Sequence, residues 1–195
     1  MRCVLALALV IAVASAARAD DTTSPTTTLV HAELDPLTFA TGGYGGQFGV
    51  RAPDLHGVRV ALASFSIRVP DAIAQFHGND GFHERVLPCG AVYALYYTAA
   101  PGQNGFALGG SVRFLRVRYT RDDTPGAATD IEEVSPEAIV GYQWHPLHNG
   151  FYLQPWLALG VRAYRSADPT VGARTYQELP VSPFFTVNIG YELAR

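Results

Sequence analysis

The chain contains no lysine and few charged residues of either sign. All 14 basic residues are arginine, Asp and Glu together number 17, and charged residues make up 16% of the 195. In soluble domains, charged residues typically make up about 25% of the chain. With a formal net charge of −3, the chain lacks the basic excess that a nucleic-acid partner requires, so we predict no nucleic-acid binding. Hydrophobic residues make up 48%, so the chain must either bury an unusually large core or face lipid.

Cysteines and long apolar runs are also scarce. Cys3 and Cys89 are the two cysteines, and Cys3 lies in a segment that we expect to be removed. Cys89 then has no intramolecular partner, which excludes a disulfide framework. After residue 19 no run of eighteen apolar residues occurs, so the sequence predicts no membrane-spanning helix. If the chain enters a membrane, it must do so with strands.

The first 19 residues have the pattern of a secretory signal peptide. Arg2 supplies a positive start, residues 4–16 are small or apolar, and residues 17–19 read Ala-Arg-Ala, a typical cleavage site. The apolar stretch is shorter than the ~20 residues of a spanning helix. Asp20, and no cysteine, follows the cleavage site, which argues against a lipoprotein. We therefore predict a cleaved signal peptide over residues 1–19 and an exported protein.

The remainder reads as a polar lead-in followed by a single domain of strands. Residues 20–28 are polar and rich in threonine, which predicts a flexible tether. From residue 29 to 195 the chain breaks into segments of about ten residues that alternate in polarity, as membrane strands do. The last segment shows this best, because Phe185, Ile189 and Leu193 share one face of the strand. The predicted strands are 29–40, 44–52, 57–68, 86–99, 106–120, 133–145, 151–165 and 180–193.

Short and long connections alternate between these segments. The short turns at 53–57, 101–105 and 146–150 each open with Pro and close with Gly, residues that favour tight reversals. The longer, more polar connections are 70–85, 121–132 and 166–177. In an up-and-down barrel this alternation places the short turns and both termini on one rim. We predict an all-β fold, a single antiparallel up-and-down transmembrane β-barrel of about eight strands, with six or ten left open.

Two stretches resemble small bacterial outer-membrane barrels, a group typified by the OmpA/OmpX-like barrel domain with members of largely unassigned function. They are HAELDPLTFATGGYGGQFGVR (31–51) and GYQWHPLHNGFYLQPW (141–156). Near the end, Asn188, Gly190 and Leu193 are similar to the assembly signal of such barrels, whereas Arg195 departs from their usual aromatic terminus. The resemblance implies an outer-membrane location, contact with membrane lipid and lipopolysaccharide, and insertion by the barrel-assembly machinery.

Two sets of residues follow from this fold as candidates for the barrel's working parts. The inward-facing charges form a predicted lumen network of Glu33, Arg51, Arg59, Arg113, Glu137, Arg162 and Glu192. We expect mutual salt bridges in preference to a transport path, because eight strands leave room only for side chains or one small ligand. The predicted aromatics of the membrane interface are Tyr142, Trp144, Phe151, Tyr152 and Tyr191.

Three functions remain as alternatives. The first is a structural or loop-mediated interaction scaffold without a general pore, binding an extracellular partner through its long loops. The second is an outer-membrane enzyme of the lipid A deacylase type, but no nucleophile, base and orienting acid can be assembled, so we predict no catalytic residues and no enzyme. The third is a soluble calycin-like barrel, with the apolar faces inside around a small apolar ligand. His77, Asp80, His83 and Glu84 could suggest a metal site, but such a loop more often simply turns; we predict no metal or cofactor.

Overall fold

The computed structural model describes residues 27–147 and 149–194. The predicted signal peptide and nearly all of the lead-in lie outside the described residues. The elements are β1 (Leu29–Leu34), α1 (Pro36–Ala40), β2 (Tyr44–Arg51), a short 3-10 helix (Pro53–Leu55), β3 (Val58–Arg68), α2 (Asp71–Ala74), β4 (Phe82–Tyr97), β5 (Gly105–Arg121), β6 (Ala128–Gln143), β7 (Phe151–Gly160), β8 (Tyr164–Arg165), β9 (Thr170–Val171), β10 (Arg174–Thr175) and β11 (Ser182–Ala194).

The strands form a closed antiparallel barrel of eight. Leu29 of β1 lies opposite Arg51 of β2 on one side and opposite Ala194 of β11 on the other, which closes the sheet. The remaining neighbours are β2–β3–β4–β5–β6–β7–β11, and the short β8 extends the β7 side of β6. The predicted all-β barrel of eight strands is confirmed. Among the described residues, no helix has the length and apolar character needed to cross a membrane.

Side chains alternate between the lumen and the outside along every long strand. On β5 the outward face is apolar from Phe106 to Phe114, while Ser111 and Arg113 are buried inside. This apolar stretch measures about 27 Å along the strand, or about 21 Å along the barrel axis at a tilt of about 40°. That height approaches the ~25 Å apolar band of a membrane barrel. The soluble calycin alternative is wrong, because it needs the apolar faces inside.

The two rims of the barrel differ as the alternation of turns predicted. The tight turn around residues 53–57 uses His56 at φ 46° and Gly57 at φ 81°, the left-handed region in which glycine is favoured. Residue 29, residue 194 and the short turns share this rim, which we call the short-turn rim. The opposite rim, the loop rim, carries residues 35–43, 69–81, 122–127 and 161–181.

Four sequence-based boundaries are clearly wrong. The predicted strand 151–165 ends at Gly160 as β7, and Tyr164–Arg165 form the separate short strand β8. Strand β4 begins at Phe82 and β6 at Ala128, so the end of the predicted loop 70–85 and the second part of the predicted loop 121–132 are strand that extends beyond the apolar band. The predicted strand 29–40 ends at Leu34, because Pro36 opens α1 and the Asp35 side chain accepts hydrogen bonds from the first amides of that helix. Proline suits the first position of a helix, because an amide there would make no hydrogen bond within the helix.

Candidate functional site

The lumen near the short-turn rim is organised around the buried carboxylate of Glu33. Arg59 forms an ion pair with it, and Gln47 donates a further hydrogen bond. The Tyr152 hydroxyl and the Asn188 amide donate to the two carboxylate oxygens, each at 2.6 Å. These donors come from β2, β3, β7 and β11, so one carboxylate ties its own strand, β1, to four others across the lumen. Because both carboxylate oxygens accept hydrogen bonds, these contacts offset the free-energy cost of removing the ion pair from water.

Aromatic and amide groups fill the space beside this carboxylate. The guanidinium groups of Arg51 and Arg59 lie 5.1 and 5.2 Å from the ring centre of Tyr97, within the range of a cation–π contact. The Tyr97 hydroxyl donates to Gln154 Oε1 at 3.2 Å, and Arg51 donates to the carbonyl oxygen of Ala99 at 2.9 Å. This half of the lumen is therefore occupied by protein groups.

The remaining charged residues that we predict in the lumen lie at three further heights along the barrel axis. Glu192 lies nearest the short-turn rim, with His31 Nδ1 at 3.9 Å and His145 Nε2 at 4.0 Å from its carboxylate oxygens. Halfway along the lumen, Arg113 forms an ion pair with Glu137, whose carboxylate also accepts a hydrogen bond from Ser111 Oγ at 2.8 Å.

Arg162 stands at the level nearest the loops. It lies 3.0 Å from Glu133 and also forms an ion pair with Glu178, and Arg165 contacts both carboxylates. Sequence reasoning missed Glu133, although it shares the parity of Glu137 on β6 and the alternation could have found it. No strand pattern could have found Glu178, because it lies in the loop after β10.

The predicted interface aromatics do not all face the membrane. Tyr142, Trp144 and Tyr191 are exposed on the outer surface near the short-turn rim, and Phe151 is half-buried on the same surface. Tyr152 is a correction, because it is fully buried in the lumen, where it bonds to Glu33 and Arg59. The physical reason is parity: residue 152 shares the inward face of β7 with Gln154.

The loop half of the barrel encloses a cavity of about 650 Å³, which we call the outer cavity. Its walls include the side chains of Phe65, Ile67, Val86, Leu115, Val117 and Tyr119. Above them, the inner faces of the extended β4, β5 and β6 pack around Phe82, Val117 and Ile131, with Val171 of β9 against them. The loop 161–181 therefore covers the projecting strands and roofs part of the cavity.

A histidine joins three segments at the loop rim. His83 Nδ1 lies 2.9 Å from Asp71 of α2, and His83 Nε2 lies 2.8 Å from Asp122 of the β5–β6 loop. Both ring nitrogens can donate only in the imidazolium form. These hydrogen bonds raise the pKa of His83, and the bond from His83 lowers the pKa of the Asp71 carboxyl. His83 stands beyond the apolar band, opposite Thr120 and two residues past the outward-facing Arg118 on β5.

This arrangement gives His83 a structural role. A ring held between two carboxylates as a cation has no free nitrogen with which to accept a proton, so it is a poor general base. Within residues 27–147 and 149–194, no group of three or more His, Cys, Asp or Glu side chains is placed to hold a metal ion.

The geometry identifies the molecule as a membrane-spanning β-barrel of the outer-membrane type. The antiparallel sheet closes on itself through β1 and β11, so its strands satisfy one another's backbone hydrogen bonds around the barrel. The outer surface is apolar and carries aromatic side chains near one rim, the lumen is polar, and short turns alternate with longer loops. These are the defining features of outer-membrane barrels.

Comparisons with known proteins give structural likeness only. No family model matches the chain, and no curated protein matches it. It is similar to the N-terminal β-barrel domain of Pseudomonas aeruginosa OprF, with 14% identity, 87% of this chain and 98% of that chain covered, and a TM-score of 0.48. Neisserial surface protein A (NspA) matches with 10% identity, coverage of 86% and 96%, and a TM-score of 0.48. A major outer membrane protein from Thermus thermophilus matches with 15% identity, coverage of 86% and 99%, and a TM-score of 0.48.

Proposed function

We propose that the chain is a non-conducting outer-membrane scaffold whose loops contact a partner outside the cell. The proposal includes removal of residues 1–19, a tether over residues 20–28 and insertion by the barrel-assembly machinery. Its main support is the filled lumen near the short-turn rim. There, the Glu33 carboxylate, its four donors and the Tyr97 ring occupy the cross-section.

Charged side chains of the lumen are paired with one another, which favours a closed barrel over one that conducts ions. Glu33 of β1 is paired with Arg59 of β3 across the lumen, and Glu137 of β6 is paired with Arg113 on the neighbouring strand β5. An ion crossing this section would have to displace a buried guanidinium from its carboxylate, which leaves both charges uncompensated at several kcal/mol each. At this level the barrel offers no alternative route, because side chains fill the cross-section of an eight-stranded barrel.

The loops form a fixed platform above the barrel. Asn79 is buried, and its side chain donates to the Gln177 carbonyl oxygen at 2.7 Å and accepts from the Gln177 amide at 2.6 Å. These bonds join loop 69–81 to loop 161–181. Ile73, Phe76 and Leu179 expose apolar side chains on this platform. Binding residues commonly lie on loops that a rigid frame positions, and this surface is our candidate for the contact with a partner.

Recording in planar lipid bilayers tests the proposal. We expect no steady conductance from the wild-type barrel, with its heat-modifiable migration in a gel as the control for folding. Steady conductance that is abolished by substituting Arg113 or Glu137 would contradict the proposal. Shortening loop 69–81 should leave the heat-modifiable barrel intact, since the strands below it close without that loop.

A further inference from the structure

The barrel wall is incomplete on the loop side of β11. Residues 182–191 of β11 pair with β7, but the pairing of β11 with β1 ends at Ile189 opposite Leu34. Beyond that point α1 replaces a strand, and Thr186 Oγ1 donates to Asp35 Oδ1 at 2.6 Å. The stretch 182–188 therefore has a paired strand on one side only. We call the space between this stretch and α1 the lateral gap.

The outer cavity reaches the membrane-facing surface through the lateral gap. Its lining includes lumen residues such as Val117 and Glu133, and also Leu37, Leu157 and Phe185. The last three are 41%, 40% and 59% exposed on the outside of the barrel. One continuous space thus connects the lumen with the level of the outer leaflet, so a molecule dissolved in lipid can enter without crossing the loops.

The walls of the outer cavity suit the apolar body of an amphiphile. Ile67, Val86 and Leu115 line it from the barrel, and Leu179 and Val181 line it from the loop. A volume of about 650 Å³ lies within the range of sites for small organic molecules, roughly 300–1,000 Å³. Apolar walls that open toward lipid favour a ligand with a hydrocarbon chain.

The charges of the lining favour a positive head group. Four carboxylates line the cavity, Asp35, Glu84, Glu133 and Glu178, against the two guanidinium groups of Arg113 and Arg162. Arg162 and Arg165 are already bound to Glu133 and Glu178, and Arg113 is bound to Glu137. Among the described residues, Asp35 and Glu84 are the lining carboxylates that no guanidinium engages.

Of the four lining carboxylates, Glu84 has the fewest partners within the protein and is therefore the most available to a ligand. It accepts a hydrogen bond from the Tyr176 hydroxyl at 3.2 Å, and among the described residues no ion pair engages it. The rings of Tyr176 and Tyr119 stand beside each other with their centres 4.9 Å apart. Organic ammonium groups bind favourably where a carboxylate lies next to the faces of aromatic rings.

We propose that the outer cavity binds an alkylammonium amphiphile, with its ammonium group at Glu84, Tyr119 and Tyr176 and its chain along the apolar wall toward the lateral gap. This binding site goes beyond the scaffold role and is independent of it. Bilayer recordings test the scaffold and leave the ligand site untouched, so the two can fail separately.

Tryptophan quenching tests the site, because Trp156 reports on it from inside. The Trp156 ring lies 5.6 Å from that of Phe184, which lines the outer cavity, whereas Trp144 is exposed on the outer surface. Trp144→Phe leaves Trp156 as the single reporter in phosphatidylcholine vesicles. The probes are 12-bromododecyltrimethylammonium, 12-bromododecyl sulfate and 12-bromododecanol, whose bromine quenches at contact range. Because Glu84 and the tyrosine faces attract the quaternary ammonium group electrostatically, we expect saturable quenching by the cation, at a lipid mole fraction about tenfold lower than for the other probes.

Matched variants separate a site from simple partition into lipid. In the Trp144→Phe background, Glu84→Gln removes the attracting charge and should raise the half-saturation mole fraction of the cation about tenfold. Glu132→Gln makes the same change on the exposed outer surface of β6 and should have no effect. Tyr176→Leu keeps an apolar side chain against Phe82 in a loop outside the barrel strands and should raise the half-saturation about fivefold. Equal, linear quenching by all three probes overturns the proposal, as does a Tyr176→Leu or folded Glu84→Gln variant that behaves like Glu132→Gln.

Discussion

At the scale of single residues, the Glu33–Arg59 pair sets the stability of the lumen. Arg59→Leu removes the guanidinium and leaves a buried carboxylate without its cation, so we expect the free energy of unfolding to fall by about 3–5 kcal/mol. Urea unfolding in lipid vesicles measures it. Arg116→Ala provides the control, because the exposed Arg116–Asp130 pair should contribute only about 0–1 kcal/mol. Equal losses for the two variants would show that Glu33 is stabilised without Arg59.

Alternation identified the inward face of each strand but not which inward groups meet. Glu33 and Arg59 were placed in the lumen because both lie on the polar faces of their strands. Their contact depends on the register between strands, which a single sequence does not specify. Tyr152 was assigned to the interface because it lies beside a turn, although the parity of β7 places it inside. For Tyr152, the nearby turn suggested the membrane interface, whereas the alternation of side chains along β7 indicates the lumen.

At the scale of elements, His83 clamps α2 to the β5–β6 loop in a pH-dependent way. Its pKa is raised by the hydrogen bonds to Asp122 and Asp71, so the folded state holds the proton more tightly than the unfolded chain. The stabilisation is therefore fully present below the ordinary histidine pKa of about 6.5 and is lost as the pH rises through the raised value. The Arg68 guanidinium also faces this clamp, 3.8 Å from Asp71.

Hydrogen exchange of the α2 amides measures this clamp. After correction for the intrinsic rates, we expect the protection factors of residues 71–76 to fall as the pH rises through the raised pKa. His83→Ala should lower them at all pH values and remove the dependence. His56→Ala, at the opposite rim, should leave it unchanged. A wild-type protein with constant protection across this range would mean that the contacts with Asp71 and Asp122 do not hold α2.

The sequence predicted strands far better than the elements that interrupt them. The Pro-to-Gly turns were recognisable because fixed and positive φ angles require those residues. Helix α1 was missed because its five residues are too few to show a helical period, and Asp35 before Pro36 was its only local signal. Pro88 also stood within a predicted strand, and the structure accommodates it where the pairing of β4 shifts register between Val86 and Gly90. Such a bulge absorbs a residue that cannot donate a ladder hydrogen bond.

At the scale of the whole molecule, the asymmetry of the rims predicts the orientation in the membrane. Short turns and both described chain ends share one rim, while the longer loops and the outer cavity lie at the other. In outer-membrane barrels the short turns face the periplasm. The loop platform, the histidine clamp and the lateral gap should therefore all lie on the outer side of the bilayer.

Single-cysteine labelling of intact cells checks this orientation. With Cys89→Ala as background, Ile73→Cys places a thiol on the exposed tip of α2, and Leu55→Cys places one in the short turn after β2. A membrane-impermeant maleimide should label the first in intact cells and the second only after the outer membrane is broken. Both should react in the purified, folded barrel, which controls for accessibility. Labelling of Leu55→Cys in intact cells, with Ile73→Cys protected, would reverse the orientation and place the lateral gap in the inner leaflet.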